Sequence, residues 1–99
     1  MARFDVHRVR GGLALDCQAD LLQRLPTRFV VPLEPVHPKL VINEQLNPRF
    51  VINGETLIMV TQLAGTVRAR DLKAVVGSLS DDREQLAVQR ALDLLMTGV

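Results

Sequence analysis

The stretch from Ser80 to Val99 restricts the possible folds of this chain most, because it reads as one capped amphipathic helix placed after a series of short strand signals. Ser80 or Asp81 can accept the first unpaired backbone N–H groups, and Asp81 with Glu84 three residues on has capping-box spacing. Val88, Ala91, Leu92 and Leu95 recur at i, i+3, i+4 and i+7, whereas Arg83, Gln85, Gln89, Arg90 and Asp93 are polar. Leu86 and Leu94 widen the apolar stripe. Gly98 suits the left-handed conformation that closes a helix, which leaves Val99 as an apolar tip.

The rest of the chain predicts strands. Arg3 to Val9 alternates, with Phe4 and Val6 on one side and Arg3, Asp5 and His7 on the other, until Gly11-Gly12 breaks the pattern. Leu13 to Cys17 follows as its hairpin partner. Thr27 to Leu33 is an apolar, β-branched run suited to burial on both faces, and Pro32, Pro35 and Pro38 predict a surface excursion at its end. Leu40 to Ile42 reads as a short strand, with Asn47-Pro48 as the turn before Arg49 to Ile52. Asn53-Gly54, set between Phe50-Val51-Ile52 and Thr56 to Val60, is the strongest hairpin signal, since a tight primed turn needs positive φ at both central residues. Leu63 to Val67 leads through Arg68 and Arg70 into a further strand over Leu72 to Val76, with Gly77 as the break before the helix. Many short strands and then one helix predict a mainly antiparallel β fold, one domain over residues 1–99, with the helix covering an edge.

Ninety-nine residues lie near the lower limit for a core without disulfides or metal, so a dimer interface would help. Three Phe, no Trp and no Tyr make the core aliphatic and argue against an aromatic platform for nucleic-acid bases. Twelve basic against eleven acidic residues give a net charge of +1, which supplies no global field for a polyanion. Arg3, Arg8 and Arg10, and later Arg68 with Arg70, read as solvated faces rather than a DNA site. The single Cys17 rules out an internal disulfide and reads as a small buried hydrophobe. With no membrane-length apolar run and no signal-peptide pattern, a cytoplasmic location is expected.

Signals for catalysis are absent. His7 and His37 have no third ligand at zinc-site spacing. There is no nucleophile elbow, phosphate-cradling glycine loop or paired-carboxylate motif, and Asp81-Asp82 is explained by capping and the helix dipole. Neither an enzyme nor a cofactor is expected.

Four stretches, in order, carry a resemblance: Leu15-Asp16-Cys17-Gln18-Ala19-Asp20-Leu21-Leu22, Val30-Val31-Pro32-Leu33, Met59-Val60-Thr61-Gln62-Leu63-Ala64, and Leu79-Ser80-Asp81-Asp82-Arg83 leading to Ala91-Leu92-Asp93-Leu94-Leu95-Met96-Thr97-Gly98-Val99. Together they resemble the CcdB family of bacterial toxins over nearly the whole chain. The resemblance implies an SH3-like barrel of the CcdB, MazF and Kid type with a C-terminal helix, and a homodimer. It also implies a type II toxin that binds the A subunit of DNA gyrase and traps the cleavage complex, is neutralised by a CcdA-like antitoxin, and meets DNA only through the antitoxin complex in autoregulation. The family ends in Trp-Gly-Ile, which falls on Thr97, Gly98 and Val99, so the Trp is replaced by Thr97. Other gyrase-contact positions map onto Asp93, Leu21 and Leu22. Two alternatives remain open: a MazF- or Kid-like endoribonuclease using Arg8, Arg10, Arg68 and Arg70, and a homologue that only binds antitoxin.

Overall fold

Alternating and β-branched runs become strands in the computed structural model, which describes residues 2–99. They are β1 (Asp5–Val9), β2 (Gly12–Asp16), β3 (Thr27–Pro35), β4 (Arg49–Ile52), β5 (Glu55–Met59), β6 (Gly65–Arg68) and β7 (Val75–Ser78), followed by α1 (Asp82–Thr97). All pair antiparallel in one sheet, ordered β4-β5-β3-β2-β1-β7, with β6 beside the first half of β3. The sheet is a half-barrel with a single C-terminal helix. The register aligns Val6, Leu15 and Val31 on its inner face, where Leu33, Phe50, Leu57 and Met59 join them against Val88 and Ala91 of α1.

The Asn53-Gly54 hairpin forms as its sequence predicts, with φ of +53° and +82° and Ile52 opposite Glu55. Its tip reaches the far edge of the sheet. Asn53 Nδ2 donates to the Val76 carbonyl at 2.9 Å, and a Cβ on Gly77 would lie 3.3 Å from Ile52 Cγ2. Gly77 therefore belongs to β7 rather than breaking the chain before the helix, and the strand predicted over Leu72 to Val76 lies later, over Val75–Ser78.

Other expectations need correction. Phe4 stands outside β1 with φ +73°, so the alternation starts only at Asp5, and His7, on the face expected to be polar and open, is buried. Its Nδ1 donates to the Lys73 carbonyl at 2.9 Å, on the stretch leading into β7. Pro32 does not end its strand. β6 pairs with β3 as far as Val30 and β5 begins at Leu33, so Pro32 falls in the gap where the ladder asks for no N–H. Leu40 to Ile42 is not a strand: Pro38–Leu40 forms a 3₁₀ turn capped by His37, and the Ile42 N–H goes to Asn47 Oδ1. In α1, Asp81 caps alone through the Arg83 N–H at 2.7 Å, while Gln85 rather than Glu84 reaches back, to the Leu79 carbonyl. The helical stripe is buried at Val88 and Ala91 and half-buried at Leu92, but Leu95 and Leu86 are exposed.

Opposite α1, Asp16 and Arg28 form a fully buried ion pair, Arg28 Nε donating to Asp16 Oδ2 at 2.9 Å with Nη2 2.7 Å away. Removing one partner strands a charge in the interior. Arg28→Met is expected to cost about 3 kcal/mol in urea unfolding, and Asp16→Asn combined with it should restore part of that loss.

Candidate functional site

The last turn of α1 is exposed from Leu95 onward. Gly98 closes it in the left-handed conformation, φ +79°, ψ +15°, with its N–H on the Leu94 carbonyl at 3.0 Å. Met96, before this closure, and Val99, beyond it, are 75% and 82% exposed. Thr97 is exposed too, but its hydroxyl donates to the Asp93 carbonyl at 2.7 Å and so is turned back on its own helix. Asp93 faces solvent and accepts a hydrogen bond from Gln89 Nε2 at 3.2 Å.

Leu21 and Leu22 sit in a 3₁₀ turn, Asp20–Leu22, between β2 and β3, and Leu21 is 92% exposed. Neither belongs to the core. A leucine pair held out in water needs a rigid frame, and Gln18 supplies one: its Oε1 accepts the Phe29 N–H at 2.9 Å, while Nε2 donates to the carbonyls of Leu22 and Thr27 at 3.0 and 3.1 Å. Gln18 is itself fixed by its N–H on Asp16 Oδ1 at 3.0 Å.

Arg3 joins the two parts. Its backbone N–H donates to Asp20 Oδ1 at 2.8 Å, and its guanidinium donates to Gln89 Oε1 at 3.0 Å. The solvated role expected for Arg3 is thus corrected; it is partly buried and lies 4.7 Å over the Phe4 ring. The expected residues therefore fall into two exposed patches, the turn with Leu21 and Leu22 and the helix end with Asp93, Thr97, Gly98 and Val99, linked through Arg3. Sequence reading missed Gln18, Asp20 and Gln89, which carry no motif; only the arginine cluster gave a trace of Arg3.

None of these residues lines the larger cavities; the most voluminous, about 630 Å³, opens between Arg8, Leu13, Ile52 and Leu57 instead. A protruding apolar surface suits a macromolecular partner better than a small ligand. Among the described residues no group of three His, Cys, Asp or Glu is placed to hold a metal, and no helix is long and apolar enough to cross a membrane. A family model described as CcdB protein matches residues 3–98.

The chain belongs to the CcdB family. Curated proteins yield no match. As a CcdB-family protein it is the toxin of a toxin–antitoxin pair. Membership also fits the mainly antiparallel half-barrel with its terminal helix.

Cys17, next to the Gln18 clamp, takes no part in this surface. Burial first, and the Asp16 carboxylate second, push its thiol up from 9.0 to about 12, against a smaller opposite effect of Arg3. Native protein at pH 8 should therefore resist thiol reagents, labelling only as it unfolds. The folded chain holds a proton that the unfolded chain releases, so this group's contribution to stability is full below pH 9.0 and is lost as pH rises towards about 12. Urea midpoints across that range, with Cys17→Ala as the reference that removes the slope, check it.

Proposed function

We propose that this chain is a toxin that binds the A subunit of DNA gyrase through the helix end Asp93, Thr97, Gly98 and Val99 and the neighbouring Leu21 and Leu22, and that it traps gyrase on cleaved DNA. The observation that carries the reading is the exposed helix end, linked through Arg3 and Gln89 to an exposed leucine turn, in a chain of this family. Binding alone performs the inhibition, so the chain needs no reacting group of its own. A homodimer would bring two such ends together and cover further apolar surface, and a CcdA-like antitoxin, disordered until bound, would compete for it. DNA would meet this chain only within that complex.

Thr97 bears on strength. Aromatic anchors often supply at least about 2 kcal/mol of such contacts, and a threonine whose hydroxyl is spent on its own helix supplies less. The decisive assay is supercoiling and DNA cleavage by the host's gyrase with purified protein. Inhibition with accumulated linear DNA is expected, and removal of Gly98 and Val99 should abolish it. Thr97→Trp should tighten binding to gyrase about tenfold or more if the pocket is the family's usual one. RNA cleavage without gyrase would replace this reading with the endoribonuclease one; antitoxin binding with neither activity would leave an antitoxin binder.

A further inference from the structure

Two non-glycine residues among those described have positive φ, and they differ in kind. Asn53 occupies a turn where that conformation is at ease; Phe4 is a bulky residue that normally avoids it. Phe4 is held there by its N–H on the Asp16 carbonyl at 2.7 Å and by its own carbonyl, which accepts the Leu79 N–H at 3.0 Å. Local strain of this sort persists only when its surroundings fix it. Its effect is to swing Arg3 out of the line of β1.

Arg3 then lies between two elements far apart in sequence. It holds Asp20 with its backbone and Gln89 with its guanidinium, and Gln89 holds Asp93, so one hydrogen-bonded series runs from the leucine turn to the helix end. The Arg3 Nε is buried without a partner, while its Nη2 reaches the exposed surface to meet Gln89, so the side chain crosses from the interior to the helix. We propose that Arg3 is a positioning residue that locks the Asp20–Leu22 turn to the second half of α1, so that both patches meet a partner as one rigid surface. The proposal rests on the gyrase reading for its consequence, though not for the lock itself. Preorganisation of this kind lowers the cost of binding and acts mainly on dissociation.

Two measurements on the full-length protein test it. The first is dissociation from the immobilised A subunit of gyrase. Arg3→Met and Gln89→Leu should each speed it about tenfold, the double variant no more than Gln89→Leu alone, because Gln89→Leu already breaks the Arg3 link. Arg3→Lys, which keeps a charged donor for Gln89 Oε1, should hold dissociation near the native rate. The second needs no gyrase: amide exchange at Arg3 and Leu22 should quicken roughly threefold in Gln89→Leu, with Leu22 near its native rate in Arg3→Lys and Val31 in the core unchanged. Unaltered exchange, or losses that multiply in the double variant, would overturn the lock. If the native protein fails to bind gyrase, only the gyrase reading falls, and exchange still decides for or against Arg3. Gln89 is an exposed helix position, so Gln89→Leu keeps the test open should Arg3→Met fail to fold.

Discussion

Asp16 ends β2 fully buried, and its two oxygens hold different parts of the molecule: one accepts from the Arg28 guanidinium, the other from the Gln18 N–H. Taking an ion pair out of water costs several kcal/mol per charge, so the pair is poor evidence of extra stability. What it fixes is geometry. From Asp16 the order of constraint runs outward, through Gln18 to the carbonyls of Leu22 and Thr27, and through its own backbone carbonyl to the strained Phe4. The exposed leucines and Arg3 are thus both placed by one buried residue, the leucines through its carboxylate and Arg3 through its backbone carbonyl.

Helix α1 divides its labour along its length. Val88 and Ala91 are buried and hold it to the sheet, whereas the final turn presents Met96 and Val99 to solvent. Exposed apolar area of this sort adds nothing to the stability of the monomer. The helix therefore packs on the core through its middle and leaves its last turn in water.

Much of this was legible in the amino-acid order. The terminal helix, its Asp81 cap, its Gly98 closure and the Asn53-Gly54 hairpin follow from local chemistry, and each formed as expected. What was not legible depended on neighbours distant in sequence. Pro32 sits inside β3 because two partner strands leave a gap there, and Gly77 is a strand residue because Ile52 approaches it. Phe4 adopts an unfavourable φ for reasons that lie at Asp16 and Leu79. Of the candidate site, the resemblance proposes the positions, and the exposure of Leu21 could not be read, since an adjacent leucine pair fits a core equally well. The polar frame of Gln18, Asp20 and Gln89 was invisible for a plainer reason: an amide side chain acquires meaning only from what stands opposite it.

The meeting of Asn53 with Val76 has an effect on behaviour in a crowded cell. β4 and β7 are the terminal strands of the sheet order, and unpaired rims of that kind template unwanted polymerisation. Here one asparagine ties the tip of the β4–β5 hairpin to β7, with the bare backbone of Gly77 allowing the approach, so the Val76 carbonyl is already taken and offers nothing to a foreign strand.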